Sequence, residues 1–207
     1  MFSLVSGLLQ QYFEKREVRF LMIGLDGAGK TSLLERTKLC FNNRHNPINA
    51  ADTKEFEHRL QKVSPTVGLN IGRLEIKGTK VIMWDLGGQE SLRGIWDKYF
   101  PDASGIVWVI DSTNPDRMEE AKQTLQGVLQ TPDLDGVPLL VFANKSDLPG
   151  AAPEDDIRKL ALPADVSNGS RHLRVVAASA LEDRGVSDGV GWLLSEASKH
   201  PRPRRGD

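Results

Sequence analysis

The sequence predicts an α/β domain built on a six-stranded, mostly parallel sheet, with one antiparallel hairpin and helices on both faces. Three observations carry that expectation. Short apolar runs alternate with longer segments of helical period, the pattern of βαβ units. One pair of runs is separated only by Lys77-Gly78-Thr79, too few residues for a crossover, so those two strands pair antiparallel. At 207 residues and 39% hydrophobic content, the chain can fill one core with at most an appended arm.

Strands are expected at 19–24, Leu69–Ile76, 80–85, Gly105–Asp111, 138–143 and 173–178. Helices are expected at 30–40, 91–99, 115–129, 154–160 and Val186–Lys199. Residues 42–62 read as a polar, weakly helical surface insertion. The domain proper therefore spans 18–200, preceded by an amphipathic arm over 1–17 and followed by a basic, proline-broken tail over 201–207.

A net charge of −1 removes the electrostatic case for nucleic-acid binding. Cys40 is the only cysteine, so no internal disulfide can form; a reducing, intracellular compartment is expected, with Cys40 as a small apolar helix residue. No apolar run approaches the roughly 18–20 residues that span a bilayer, the longest candidate covering residues 105–110. The N-terminus has no basic region ahead of its apolar residues, so it does not read as a secretory signal.

The run Gly24-Leu25-Asp26-Gly27-Ala28-Gly29-Lys30-Thr31 fits G-x-x-x-x-G-K-[ST], and it follows an expected strand and opens an expected helix. Its glycines let backbone N–H groups turn around phosphates, the helix aims its positive end at them, Lys30 reaches phosphate oxygens, and Thr31 can ligate Mg²⁺. Asp26, Gly27, Ala28, Gly29 and Ser32 complete the expected phosphate site. A glycine-rich turn, a kinase or an ATPase could show the same loop, so the motif alone names neither base nor reaction.

Asp85-Leu86-Gly87-Gly88-Gln89 follows the third strand. There an acid can hold Mg²⁺ through water, Gly88 can offer its N–H to the γ-phosphate, and Gln89 can orient attacking water as the catalytic residue. Asn144-Lys145-Ser146-Asp147 follows the fifth strand. The two Asp147 carboxylate oxygens match donors that guanine has and adenine lacks, with Asn144 and Lys145 bracing the loop. Ala178-Ser179-Ala180 can place a backbone N–H at the guanine carbonyl. Each segment alone also reads as an ordinary turn; their order and strand-end positions fit a doubly wound nucleotide site.

These segments resemble the Ras-like small GTPases, and Trp84-Asp85-Leu86-Gly87-Gly88-Gln89 with the phosphate loop narrows the likeness to the ADP-ribosylation factor family. Thr66-Val67-Gly68-Leu69-Asn70-Ile71-Gly72, Trp96-Asp97-Lys98-Tyr99 and Val109-Ile110-Asp111-Ser112-Thr113 are similar to its Golgi-type subgroup, the ADP-ribosylation factor-related proteins. The resemblance covers nearly the whole chain. It implies a Ras-like P-loop GTPase fold and a Golgi or trans-Golgi switch that hydrolyses GTP slowly and recruits effectors to membranes for vesicle-mediated protein transport. It also implies Thr66 as a Mg²⁺ ligand in the GTP state, and an effector surface of Leu69, Trp84 and Tyr99, the first being commonly phenylalanine in relatives. A bland packing role for the last three is the competing reading. Exchange factors, a GTPase-activating protein, a Golgi membrane receptor and a monomeric state are further implications. No arginine stands in the phosphate loop as an internal finger, so slow intrinsic hydrolysis is expected.

Phe2, Val5, Leu9 and Tyr12 or Phe13 recur at helical spacing, widened by Leu4 and Leu8. Such a helix either packs permanently on the domain or releases to a membrane with GTP; the resemblance favours release through a two-residue slide of the hairpin. Position 2 is Phe rather than Gly, which removes the myristoylation pattern. A bare helix then needs a receptor or a second signal. The resemblance implies an acetylated N-terminus and peripheral membrane association. Two rivals remain at this stage: a nucleotide-locked scaffold, disfavoured by Gln89, and a nucleotide kinase, disfavoured by the Asn144–Asp147 segment.

Overall fold

The computed structural model describes residues 16–42, 50–60, 62–166, 171–199 and 201. The expected amphipathic helix of residues 1–13, much of the tail and part of the insertion lie outside them. The elements run β1 (Glu17–Ile23), α1 (Lys30–Asn42), α2 (Ala50–Leu60), β2 (Leu69–Ile76), β3 (Thr79–Leu86), a single turn α3 (Glu90–Arg93), a 3₁₀ segment (Trp96–Asp102), β4 (Gly105–Asp111), α4 (Met118–Leu129), β5 (Leu139–Asn144), α5 (Glu154–Ala161), β6 (Leu173–Ala177) and α6 (Val186–Lys199). Among the described residues no helix is long and apolar enough to cross a membrane.

The six strands lie in the order β2-β3-β1-β4-β5-β6. All neighbouring pairs are parallel except β2 with β3, where Ile76 faces Thr79 across a two-residue turn. Lys77 and Gly78 both take positive φ, 49° and 80°, the turn geometry that matches strand twist. Alternation along β1 divides the core. Leu21 and Ile23 join Trp96, Phe100, Trp108, Leu125 and Ile157 on one face. Phe20 and Met22 join Leu33, Leu34, Met83, Phe142, Val190 and Leu193 on the other. Continuous burial of β4 and β5, apart from Asp111 at the end of β4, follows from helices covering both faces.

Three expectations are corrected. The helix anticipated at 91–99 is instead the short α3 and a separate 3₁₀ segment. Gly94 closes α3, and Trp96 turns inward so that its Nε1–H donates to Gly87 O at 3.0 Å. The insertion is not polar throughout or only weakly helical: residues 50–60 form α2, anchored by Phe56, which is buried. The helix expected from residue 115 begins as a 3₁₀ turn, Pro115–Arg117, before α4.

Candidate functional site

The loops after β1, β3 and β5 leave the sheet at the same edge, where the parallel strands end beside the central β1. Open α/β sheets bind ligands at this place. The 24–29 loop is shaped by its glycines. Gly29 has φ of 89°, and a Cβ there would lie 2.3 Å from the Asn144 amide nitrogen. A Cβ on Gly88 would lie 2.5 Å from Asp26 N and Gly24 O, so the loop after β3 presses its backbone against the phosphate loop.

Lys30 opens α1 and is buried; its ammonium donates to Gly24 O at 3.0 Å and Leu25 O at 2.8 Å. Burial pushes its pKa down to about 8, with Asp85 and Asp26 opposing the shift. Thr31 Oγ1 donates to Asp85 Oδ2 at 2.7 Å and lies 2.8 Å from Thr66 Oγ1. Asn70 Nδ2 donates to the same Asp85 oxygen at 3.4 Å. Burial raises the Asp85 pKa against the Thr31 hydrogen bond and the Lys30 charge, and Asp85 Oδ1 is a buried oxygen with no protein partner. Two hydroxyls and an orphan carboxylate oxygen are donors of the kind that fits a hard cation completed by phosphate and water. Among the described residues no cluster of three His, Cys, Asp or Glu offers an all-protein metal cage.

A cavity of about 470 Å³ is lined by Asp26, Gly27, Gly29, Lys30, Thr31, Ser32, Thr66, Gly88, Gln89 and Lys145, together with residues 63–65. Ala28 is outside that lining and is buried. Gln89 is exposed at the start of α3 and faces this space. Thr66 is held close because the backbone N–H of Gly87 donates to Gly68 O at 3.0 Å, extending the β2–β3 ladder toward the cavity.

Asn144 Nδ2 donates to Ala28 O at 2.8 Å, tying the loop after β5 to the phosphate loop. Lys145, at φ 65°, pairs with Asp111 of β4, whose pKa falls despite burial because of the Lys145 and Thr113 hydrogen bonds. Ser146 N donates to Ala178 O at 3.0 Å, and Arg184 Nη1 donates to Ser146 O at 3.2 Å. The loops after β5 and β6 are thus joined, with Ser179 and Ala180 buried and Asp147 half-exposed. Asp147, Ser179 and Ala180 lie outside the lining of the phosphate cavity.

Leu69, Trp84 and Tyr99 are partly buried against the core; the Trp84 and Tyr99 rings meet edge-on at 5.2 Å. Packing and display coexist there, beside the exposed Val67 and Ile71. Cys40 does not act as an apolar helix residue: its thiol donates to Asp183 Oδ1 at 2.9 Å, and burial with that bond pushes its pKa up to about 12.

Sequence reasoning missed Asn70, Asp111 and Arg117. Arg117 donates to Asp26 O at 3.0 Å and to Asp26 Oδ1 at 2.9 Å, and it also bonds Glu120, which pairs with Arg93; Arg93 Nε in turn donates to Gly88 O at 3.0 Å. The signal available was an acid inside a phosphate-binding loop, which calls for a neutralising base elsewhere in the chain.

The family model described as the ADP-ribosylation factor family matches residues 5–197. The chain is 38% identical over 209 aligned positions to ADP-ribosylation factor-related protein 1 of Rattus norvegicus, covering 100% of this chain and 99% of that one. It is 33% identical to ADP-ribosylation factor-like protein 3 of Saccharomyces cerevisiae, with 99% and 98% covered. Among solved structures it is similar to the Arl6 BBS3 small GTPase of Trypanosoma brucei with bound nucleotide analogue GppNp. That likeness has a TM-score of 0.69 and 27% identity, over 88% of this chain and 98% of that one.

Proposed function

From the premise that the chain belongs to the ADP-ribosylation factor family, with the Ras-like fold, the GTP and GDP binding and the GTPase activity of a molecular switch, we propose that it regulates vesicle-mediated protein transport at Golgi and trans-Golgi membranes, recruiting effectors there in its GTP state. The observation that best supports a switch at this site is the approach of Thr66 Oγ1 to within 2.8 Å of Thr31 Oγ1, which folds the 63–66 segment over the phosphate cavity. A γ-phosphate gives that segment a reason to close, and its loss gives it a reason to open.

The roles follow. Backbone N–H groups of 26–31 and the Lys30 ammonium hold the phosphates, with Ser32 lining the same cavity. Thr31, Thr66 and, through water, Asp85 would hold Mg²⁺, which would supply neutralisation of the phosphate charge. Gln89 aligns a water for in-line attack on the γ-phosphorus; the P–O bond to the β-phosphate breaks and GDP is the leaving group. Gly88 N–H receives charge on the γ-oxygens. Asp147 reads the guanine N–H donors, Asn144 and Lys145 brace it, and the Ser179–Ala180 backbone meets the guanine carbonyl.

Leu69, Trp84 and Tyr99 form the effector surface. The 1–13 segment supplies peripheral membrane attachment, acetylated and seated by a Golgi membrane receptor. The protein works as a monomer with an exchange factor and an activating protein.

Two measurements on one preparation test this reading. Single-turnover GTP hydrolysis with Mg²⁺ and a family activating protein is expected to accelerate by about 10³-fold or more and to lose that acceleration in Gln89→Leu. Recruitment to Golgi membranes is expected with GTP, not GDP, and to vanish on deletion of residues 1–13. Equal recruitment of both nucleotide forms rejects the membrane switch.

A further inference from the structure

Helix α2 packs on α1 and reaches the base end of the site through Phe56. The Phe56 ring centroid sits 3.8 Å from the Arg36 guanidinium carbon, and both residues are almost fully buried, at 3% and 4% exposure. Beneath the ring, Arg36 Nε donates to Ala180 O and Nη2 donates to Leu181 O. One turn further along α1, the Cys40 thiol holds Asp183 of the same loop. Within that loop, Glu182 N donates to Ser179 Oγ at 3.0 Å. The loop after β6 is therefore fastened along its length to one face of α1.

We propose that α2 is a brace for the guanine-contacting loop, in which Phe56 acts through Arg36 as a pair of positioning residues that set the lifetime of bound guanine nucleotide. The proposal rests on the assignment of Ser179 and Ala180 to the base. A planar, bidentate guanidinium fixes the peptide planes that follow the Ala180 N–H, and so the direction in which that N–H points. The aromatic face attracts the cation and covers it from water, which strengthens both hydrogen bonds and keeps the side chain from swinging into solvent. Arg59 adds an outer tie from α2 to α1, 3.6 Å from Glu35. Because α2 also leads into the 63–66 wall of the phosphate cavity, the insertion bridges the base loop and the segment that carries Thr66.

The test uses the full-length chain loaded with fluorescent GDP or GTP. Phe56→Leu keeps an apolar side chain but loses the ring; Arg36→Lys keeps the charge but loses the fork; Phe56→Tyr keeps the ring. The first two are expected to speed guanine-nucleotide release by about tenfold, the scale of a desolvated cation–π contact, while Phe56→Tyr stays at the parental rate. The single-turnover rate constant for GTP already bound should remain within about twofold, since base positioning alters residence and not the attack at phosphorus. Ala180→Pro, which removes the N–H itself, serves as the reference. If it speeds release while Phe56→Leu and Arg36→Lys do not, the brace is overturned and the base assignment stands. If none of the three alters release, both fall. A matching drop in the hydrolysis rate constant would show general loosening and would also overturn the brace.

Discussion

At the residue scale, Asp26 poses a problem: it places a carboxylate inside a loop that must hold phosphates. Arg117 resolves it by pairing with both the Asp26 carboxylate and its carbonyl, and Arg117 with Arg93 holds the Asp26 pKa below its usual value despite desolvation. The carboxylate stays charged and is neutralised locally, so little of its field reaches the γ-phosphate. Both partners are about a third to a half exposed, so screening keeps the effect small. Arg117→Gln is expected to weaken GTP binding by about two- to fivefold, and GDP binding less, with the difference shrinking at high salt. Nucleotide affinities measured at two salt concentrations check this. An equal loss for both nucleotides would mean that the arginine only supports the fold. The phosphate loop itself was legible because its chemistry is written in eight consecutive residues. Arg117 was not, because the partner of Asp26 lies 91 positions away and arginine on a helix face has many unremarkable uses.

At the element scale, the β2–β3 hairpin connects nucleotide chemistry to the surface. In its present register Leu69 faces Leu86, Gly68 receives the Gly87 N–H, and Thr66 reaches Thr31. Strand side chains alternate with period two, so a one-residue slip would turn the core-facing residues outward, whereas a two-residue slip preserves every face. Such a slip displaces Thr66 by about 7 Å and takes it out of hydroxyl contact with Thr31. A disulfide between Arg19→Cys of β1 and Ile82→Cys of β3, directly opposed in this register, is expected to hold the hairpin against β1 in the present arrangement. The oxidised protein should hydrolyse bound GTP yet keep effector and membrane binding afterwards, and reduction should restore release. Prompt release from the oxidised form would show that the hairpin does not move. The hairpin was legible from its three-residue gap, whereas α2 was not: the one residue it buries among those described, Phe56, sits among charged neighbours. Gly94 was the visible warning that 91–99 could not remain one helix, since glycine inside a helix costs about 1 kcal/mol and here closes it.

At the scale of the whole molecule, the site belongs to no single segment. Lys30, Thr31 and Ser32 open α1, Thr66 precedes β2, Gly88 and Gln89 follow β3 and Lys145 follows β5, and they line one cavity because the six strands are in register. Buried polar groups at their junction, including Asp85 Oδ1 and Asn144 Oδ1, have no protein partners, and Lys30 is desolvated. Nucleotide with Mg²⁺ therefore supplies interactions that the native state alone can use, and linkage turns their binding energy into stability of the entire domain. At a ligand concentration 100-fold above Kd the gain is about 2.7 kcal/mol, and for a domain of this length each kcal/mol moves Tm by about 2–4 °C. GTP or GDP with Mg²⁺ should accordingly raise Tm by about 5–10 °C at that ratio and by more at higher excess. ATP at equal concentration should leave it unchanged, and chelating the metal should remove part of the gain. Differential scanning calorimetry across a nucleotide series measures all three responses. Equal stabilisation by ATP would contradict base reading by Asp147, while full stabilisation after chelation would remove Thr31, Thr66 and Asp85 from metal binding.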